Sequence, residues 1–386
     1  MKLTGFLRAT KNFFNESRRR YRPLVEILVS RSALIGNLNE YQRRYPKFSL
    51  APVLKSNAYG HGLAPVALIL DKQGVAFFVV DSLYEAITLR RQGIKSRILI
   101  IGYTHPENIK NNRLKQVAFT IIDLEQLRQL AKTVNAPKEI HLKIDTGMHR
   151  QGILLHQIEA AIHLIKSCKF LRLRGICSHF ADADNFDESF TRIQIDRWEE
   201  INRVFRKNFQ ALEFFHICAS AGVYYSKNTS GNVIRLGLGL YGINPSPLLD
   251  LDLRPVLQMQ SIISSIKSIP AGEYVGYGVT YKTEKAILAA TVPVGYFEGV
   301  DRRLSNCGFL KIKNQYCPVI GRVSMNITSL DVSAAPEVQP GDKVTVVSNQ
   351  KNDLNSVENI AKLCQTIPYE ILVHFPPHLR RRVVEE

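Results

Sequence analysis

Short apolar, β-branched runs alternate with helix-like stretches over the first two-thirds of this chain, and this alternation constrains the fold most. The strand candidates are Phe48–Leu54, Ala76–Asp81, Arg97–Ile101, Ala118–Ile122, Glu139–Ile144, Leu171–Cys177, Leu212–Ile217 and Val233–Leu236. Amphipathic segments separate them at Pro65–Lys72, Leu83–Gln92, Leu124–Thr133, Ile158–Lys166 and Phe190–Asn208. Strands that alternate with helices form βα units around a parallel sheet. About eight such units predict an α/β fold, a (β/α)8 barrel of the TIM type, rather than an open doubly wound sheet.

After about residue 250 the pattern changes to strands separated by turns. The strand-like segments are Val256–Ile269, Ala286–Val294, Gly308–Ile312 and Lys343–Val347, with one helix expected near Val357–Gln365. This predicts a C-terminal, mostly β domain. The expected organisation is a basic N-terminal extension at 1–22, a barrel at 23–250 and the β domain at 251–386.

The composition is typical of a soluble globular protein. The 386 residues are 45% hydrophobic and 22% charged, and no apolar run reaches the roughly 18 residues of a membrane-spanning helix. The formal net charge is +17, but the positive residues are spread along the chain and no nucleic-acid-binding motif accompanies them. Six cysteines form neither a Cys-x-x-Cys pair nor a zinc-type cluster with histidine. We therefore expect a cytoplasmic protein with reduced thiols and without a metal, nucleic-acid or membrane partner.

A lysine at the end of the first predicted strand opens the motif Lys55-Ser-Asn-Ala-Tyr-Gly-His-Gly62. Active sites of (β/α)8 barrels lie at the carboxyl ends of the strands, where Lys55 is expected. A lysine amine forms an imine with an aldehyde, and a glycine-flanked turn lets backbone amides approach an anion. A cofactor with both an aldehyde and a phosphate, pyridoxal 5′-phosphate (PLP), matches these two features.

The same motif resembles the cofactor-lysine motif of the alanine racemase family, from which it departs at Ser56 alone. The resemblance extends from about Arg22 to Arg382. Further blocks follow in the family's order: Lys143-Ile-Asp-Thr-Gly-Met-His-Arg-Gln-Gly152, Gly175-Ile-Cys-Ser-His-Phe-Ala-Asp-Ala-Asp184, Ser220-Ala221, Arg235-Leu-Gly-Leu-Gly-Leu-Tyr-Gly242, Val275-Gly-Tyr-Gly-Val-Thr-Tyr281 and Gly321-Arg-Val-Ser-Met325. The resemblance implies PLP as cofactor, racemisation of alanine and a homodimer with shared active sites.

Racemisation needs two bases, because the Cα proton leaves one face and another proton arrives at the opposite face. The resemblance implies that Lys55 is one base and that Tyr277, supplied by the second subunit, is the other. A free tyrosine has a pKa of about 10 and needs nearby positive charge or donors to act as a base. The family pattern implies that His179 and Arg235 supply them. The family pattern also implies that Arg235 faces the pyridine nitrogen and, since arginine keeps its proton, leaves that nitrogen unprotonated.

The other site assignments also follow from the resemblance. The implied phosphate shell consists of Tyr59, Ser220, Tyr369 and the amides of Gly237 and Leu238. Arg150 reads the substrate carboxylate or steadies the tyrosine base, and Met325 faces the substrate from the other subunit. Lys143 resembles a lysine that some members carry as a carbamate. The chain departs from the family pattern at Asn326 and in the segment 295–300, so the sequence defines the reaction type better than the substrate.

Alternative functions stay open at this point. A serine or broad-specificity amino-acid racemase would use the same residues. A PLP-dependent decarboxylase of basic amino acids also pairs a barrel with a β domain, but its glycine-rich phosphate loop and Cys-Asp substrate block do not occur in this sequence. A non-catalytic PLP carrier built on the barrel alone would have no second domain and no counterpart of Tyr277.

Overall fold

The computed structural model describes residues 22–385, so the predicted extension 1–22 lies almost wholly outside the described residues. The helices are α1 (Arg31–Arg44), α2 (Leu63–Leu70), α3 (Leu83–Arg91), α4 (Pro106–Asn111), α5 (Leu124–Thr133), α6 (Ile158–Ser167), α7 (Ser189–Asn208), α8 (Val357–Leu363) and α9 (Pro368–Val373). Short 3-10 turns lie at Leu155–Gln157, Gly222–Asn228, Leu238–Tyr241, Tyr277–Val279, Tyr296–Glu298 and Arg302–Leu304. Every helix within residues 22–385 is too short or too polar to cross a membrane.

Eight parallel strands follow an initial strand and build the first half of the molecule. The strands are β1 (Glu26–Ser30), β2 (Ser49–Pro52), β3 (Phe78–Val80), β4 (Ile98–Ile100), β5 (Val117–Ile121), β6 (Lys138–Lys143), β7 (Leu171–Cys177), β8 (Phe214–His216) and β9 (Val233–Leu236). β3 to β8 pair in sequential order and β2 pairs with β9. Single bridges, Val53 with Val79 and Ala219 with Arg235, join the two pieces. The ring therefore closes, which confirms the predicted (β/α)8 barrel.

Two of the barrel helices, α3 and α5, begin where the sequence supplies a capping side chain. Ser82 accepts a hydrogen bond from the amide of Glu85, and Asp123 accepts one from the amide of Gln126. On α5 the buried side chains Leu124, Leu127 and Leu130 lie three residues apart, so they form one apolar face. β5 is buried at every residue, as expected of a parallel strand covered on both faces.

The second half is mostly β, as predicted. Its strands are β10 (Leu257–Ile262), β11 (Ser265–Ile269), β12 (Tyr274–Val275), β13 (Tyr281–Lys282), β14 (Ile287–Val292), β15 (Phe309–Ile312), β16 (Gln315–Pro318), β17 (Thr328–Asp331), β18 (Lys343–Val347) and β19 (Arg380–Val384). They form a six-stranded sheet in the order β16-β15-β18-β10-β1-β19, a three-stranded sheet β11-β14-β17 and a hairpin of β12 with β13.

The segment 256–269, expected as one strand-like run, is two strands in different sheets. The amide of Ile263 donates to the carbonyl of Asp342, whereas the amide of Ser264 donates to the carbonyl of Thr291. Consecutive residues therefore bond to different sheets, and β10 and β11 continue in different ladders. The apolar pattern could not reveal this change of partner, because the run Ser261-Ile-Ile-Ser-Ser-Ile266 continues across the boundary without a turn residue.

β1 comes before the barrel in sequence but lies in the C-terminal sheet. It pairs antiparallel with β10 and parallel with β19. The first strand in the sequence therefore belongs to the sheet of the second half, and the barrel strands come after it. The predicted domain boundary at residue 250 stays a prediction. A single boundary at that position would assign β1 to the barrel, although β1 pairs with strands of the C-terminal sheet.

Candidate active site

Residues 55–62, which we call the lysine loop, follow β2 at the carboxyl-terminal mouth of the barrel. The backbone after the half-buried Lys55 is left-handed, with φ of 56° at Ser56, 56° at Asn57, 53° at Ala58 and 50° at Tyr59. This conformation costs a non-glycine residue roughly 1–2 kcal/mol. Contacts with the rest of the protein must therefore hold the lysine loop in place.

Two residues of the lysine loop show how tightly it is packed. A Cβ atom at Gly60, where φ is 78°, would lie 2.0 Å from the carbonyl oxygen of Leu372 in α9. His61 is buried, stacks on Tyr241 at 4.3 Å and directs Nδ1 to the carbonyl of Tyr59 at 2.9 Å. Burial lowers the pKa of His61 to about 4, so the ring is neutral at neutral pH.

The structure brings the five residues of the implied phosphate shell together. The amide of Gly237 donates to Ser220 Oγ at 2.8 Å, and the 3-10 turn begins at Leu238. A Cβ atom at Gly237 would lie 3.0 Å from the Tyr59 hydroxyl and 3.8 Å from Ser220 Oγ. The rings of Tyr59 and Tyr369 are 5.8 Å apart. Hydroxyls and amides around a position that a side chain would fill form a cradle suited to an anion, which we call the phosphate cradle.

Arg235 is the centre of a buried hydrogen-bond network next to the phosphate cradle, and only 7% of the residue is exposed. Its Nη1 donates to Nδ1 of His216 at 2.8 Å and to the carbonyl of the same residue at 2.6 Å. Its Nη2 donates to Nδ1 of His179 at 3.0 Å and to the carbonyls of Ser178 and Ile217. Within residues 22–385 the Nε–H has no hydrogen-bond partner. One guanidinium donor therefore stays available for an acceptor on a ligand.

His179 lies where the positive charges of the mouth converge. Burial, followed by the charges of Arg235, Lys143, Arg150 and Lys55, lowers its pKa to about 3. Since arginine can only donate, Nδ1 of His179 is the acceptor and the proton of the neutral ring is on Nε2. The site is therefore strongly cationic and suits a substrate or cofactor that carries negative charge.

Two histidines to which the sequence analysis gave no role extend this network into the barrel. Nδ1 of His216 accepts from Arg235, so the protonated Nε2 donates to Nδ1 of His141 at 2.8 Å. Burial lowers the pKa of both, to about 3 for His141. The two rings meet across β7 because Gly175 carries no side chain. A Cβ atom at Gly175 would lie 2.7 Å from His141 Nδ1. In the sequence each histidine stands alone in an apolar strand, which does not indicate a functional residue. The pair could have been predicted only from the correct order of the strands in the sheet.

Lys143 and Arg150 lie at the same mouth. The amine of Lys143 donates to Gln151 Oε1 at 3.4 Å. Burial is the main cause that lowers the pKa of Lys143, and the charges of Arg235 and Arg150 add to it. Arg150 itself is exposed. The structure thus groups both residues with Lys55, His179 and the phosphate cradle.

The other implied residues lie in the C-terminal domain and face solvent. Tyr277 is at the tip of the β12–β13 hairpin and is 74% exposed, and Met325 is 55% exposed. Gly276 and Gly278 both have positive φ and pack against Arg322, so the two C-terminal motifs touch each other. Within residues 22–385 the Tyr277 hydroxyl has no hydrogen-bond partner. One protomer therefore does not join Tyr277 and Met325 to the barrel mouth by hydrogen bonds.

The two departures from the family pattern meet each other in space. Asn326 Nδ2 donates to Glu298 Oε1 at 2.7 Å, and Glu298 Oε2 accepts from the amide of Gly295 at 2.8 Å. An aspartate at 326 would set two carboxylates at hydrogen-bond distance, which is unfavourable while both are ionised. Asn326 is therefore a neutral donor to the Glu298 carboxylate in this chain. The part of the chain that the structure describes has no cluster of three or more His, Cys, Asp or Glu side chains suited to a metal ion.

Comparison with known proteins places this geometry in a family. Residues 29–245 match the model of the alanine racemase N-terminal domain, and residues 256–383 match that of the alanine racemase C-terminal domain. Alanine racemase 1 of Caldanaerobacter subterraneus subsp. tengcongensis is 34% identical over 354 residues, which is 90% of this chain and 91% of that protein.

Solved structures agree with the sequence matches. The alanine racemase of Clostridium difficile 630 has a TM-score of 0.88 at 28% identity and covers 95% of this chain and 97% of its own. The histidine racemase of Leuconostoc mesenteroides has a TM-score of 0.83 at 25% identity, over 94% of this chain and 98% of its own. Two matching domain models and a relative above 30% identity over nine-tenths of the chain establish that this protein belongs to the alanine racemase family, whose members depend on PLP.

Proposed function

We propose that this protein interconverts L- and D-alanine with PLP, in a homodimer that combines Lys55 with Tyr277 of the partner subunit in each site. The observation that carries the proposal is the meeting of the lysine loop, the phosphate cradle and the free Nε–H of Arg235 at one barrel mouth. An amine, an anion cradle and a donor for a ring nitrogen are the contacts that PLP requires. When bound, PLP supplies an electron sink that makes the Cα proton of an amino acid removable.

Three sets of residues at the mouth would each hold one part of this cofactor. Lys55 provides the amine for the aldehyde. Tyr59, Ser220, Tyr369 and the amides of Gly237 and Leu238 hold the phosphate. Arg235 would donate its Nε–H to the ring nitrogen and keep its own proton, so that nitrogen would remain unprotonated and side reactions of the cofactor would be suppressed.

Two side chains move the proton on opposite faces of the substrate. Lys55 takes or gives the Cα proton on one face, and Tyr277 of the partner subunit does so on the other. A phenol needs positive surroundings to lose its proton near neutral pH. Arg235 and Arg150 provide such surroundings, and the exposure of Tyr277 on its own protomer leaves it available to a second chain.

The remaining assignments concern substrate recognition. Arg150 binds the substrate carboxylate through its forked donors or steadies the tyrosine base. Met325 of the partner subunit faces the substrate side chain. The lowered pKa of Lys143 favours the neutral amine, which is the form that reacts with carbon dioxide. Lys143 as a carbamate would then hold Arg150.

The test joins covalent trapping to a chiral assay. Borohydride reduction of the purified protein should attach the cofactor to Lys55, identified by peptide mapping. Lys55→Ala should lose the visible cofactor absorbance and about 10³-fold or more of the L-alanine racemisation rate, whereas Lys72→Ala, an exposed lysine on another surface, should retain both. A label at another lysine would contradict the assignment.

The substrate is tested in the same assay with a panel of L-amino acids. Alanine should be the best substrate. Serine and histidine are included because Glu298 and Asn326 depart from the family pattern and because one structural neighbour is a histidine racemase. Release of carbon dioxide without racemisation would instead indicate a decarboxylase.

A further inference from the structure

The run Arg380-Arg381-Arg382 in β19 contributes to the high positive charge, but its three side chains do different things. Successive residues of a strand face opposite sides. Arg380 and Arg382 are exposed and reach Glu26 in the neighbouring β1, at 3.6 and 3.1 Å. Arg381 faces the other way and is half-buried. The charge run therefore contains one inward residue and two outward ones.

All the hydrogen bonds of the Arg381 guanidinium go to backbone carbonyls. Nε and Nη2 donate to the carbonyl of Gly60 at 3.1 and 2.8 Å. Nη1 donates to the carbonyls of Pro376 at 2.5 Å and Leu379 at 2.7 Å, and Nη2 also donates to that of Phe375 at 3.1 Å. Burial lowers the pKa of Arg381 only to about 10, so the cation persists at neutral pH.

Three of these carbonyls lie close in sequence to two tyrosines of the phosphate cradle. Gly60 directly follows Tyr59 in the lysine loop. Phe375 and Pro376 lie two and three residues after the end of α9, the helix that carries Tyr369. The side chain also packs on the lysine loop, since a Cβ atom at Gly62 would lie 3.3 Å from Arg381 Cγ.

We propose that Arg381 is a positioning residue that fixes the lysine loop against the α9 segment, and that it thereby sets the position of Lys55 and Tyr59. This inference rests on the role proposed above for Lys55. The left-handed backbone of the lysine loop is intrinsically unfavourable, and the Gly60 carbonyl would be buried without a partner if the guanidinium were removed. The loop would then relax, and the lysine and the phosphate ligand would move with it.

The experiment measures amide hydrogen exchange in the purified holoenzyme. In Arg381→Met, peptides that cover 56–62 and 368–376 should exchange about tenfold or more faster, while peptides from β6 should exchange as in the parent protein. The same variant should retain PLP about tenfold less tightly during dialysis, since the cradle is loosened. Arg382→Met is the matched control, because it removes a charge from the same strand without touching the lysine loop, and it should leave exchange and activity unchanged.

Unchanged exchange of 56–62 in Arg381→Met would overturn the proposal. If that variant does not accumulate as folded protein, Arg381→Lys takes its place. Lysine keeps the charge, but its three donors cannot satisfy four carbonyls, so the same peptides should exchange faster than in the parent; equal protection would again overturn it. Exchange does not depend on which lysine carries the cofactor, so a borohydride label away from Lys55 would refute the proposed function and leave this result intact.

Discussion

At the scale of single residues, the buried histidines share one electrostatic state. His61, His141, His179 and His216 all have pKa values well below the ordinary value, chiefly because burial penalises the charged ring. Two of them accept hydrogen bonds from Arg235, which cannot give up its proton. His179 and His216 are therefore neutral imidazoles that contact the permanently charged guanidinium of Arg235.

These lowered pKa values predict acid sensitivity. In the unfolded chain a histidine has a pKa of about 6.5. Below that pH the unfolded state therefore binds protons that the folded state does not bind. The free energy of unfolding should fall as the pH drops below about 6.5, by up to about 1.4 kcal/mol per pH unit for each histidine. The loss from His61 should end near its folded pKa of about 4. Denaturant unfolding at a series of pH values measures this slope.

A pair of variants isolates the contribution of one ring. His61→Gln should reduce the slope by about one histidine's share, whereas His163→Gln, on the exposed side of α6, should leave it unchanged. The same slope in both variants would mean that His61 is already protonated in the folded protein.

The sequence predicted the residues that belong to a contiguous motif and missed those that do not. Lys55, Tyr59 and Gly237 occur in motifs whose glycines and aromatic residues carry a chemical meaning. His216 and Arg381 have no such setting, since a histidine in an apolar strand and an arginine in a charge run are common in any protein. The closed barrel brings His216 to Arg235 and His141, and the packing of β19 on the lysine loop brings Arg381 to Gly60.

At the scale of elements, the lysine loop depends on a close approach between two backbones. Gly60→Ala would bring a Cβ atom to 2.0 Å from the Leu372 carbonyl. The loop or α9 must then shift, so we expect loss of PLP binding and of nearly all racemase activity, measured by absorbance and chiral assay.

Gly74→Ala provides the matched control for this substitution. Gly74 also has a positive φ, of 67°, but no atom lies within 4 Å of the position that a Cβ would take there. It should cost only the roughly 1–2 kcal/mol of a left-handed alanine and leave the cofactor bound. Equal behaviour of the two variants would show that backbone strain, and not the contact with α9, is what matters at Gly60.

Elements with a clear apolar period were predicted well, and weakly amphipathic ones were missed. β7, β9 and α5 have the predicted bounds. The sequence analysis did not identify α1, whose Gly36 and Asn37 are poor helix formers. Its Asn37 is buried because Nδ2 donates to the carbonyls of Leu240 and Arg254, at 3.0 and 2.9 Å. Such long-range contacts override local propensity and cannot be read from a local window.

At the scale of the whole molecule, the proposed shared site predicts complementation between inactive variants. Lys55→Ala and Tyr277→Phe should each be nearly inactive in both directions of turnover, because the two enantiomers have equal free energy and a lost base slows both directions alike. When they are mixed, unfolded and refolded together, a hybrid dimer has one site with both native bases. Random pairing should restore roughly a quarter of the native activity.

The outcome of this mixing decides between two arrangements. If each protomer held both bases of its own site, no hybrid would contain an intact site and mixing would restore nothing. As a control, Lys55→Ala refolded with itself should remain inactive, and sedimentation of the mixture should show dimers.

The position of β1 has a consequence for biosynthesis. β1 is made before the barrel strands, yet its neighbours β10 and β19 follow more than 200 and 300 residues later. On the ribosome this strand must therefore wait with unpaired edges while the entire barrel is translated, and the C-terminal sheet can close only after β19 has left the exit tunnel. The C-terminal half can therefore complete its folding only after β19 is translated, whereas the barrel can fold during translation.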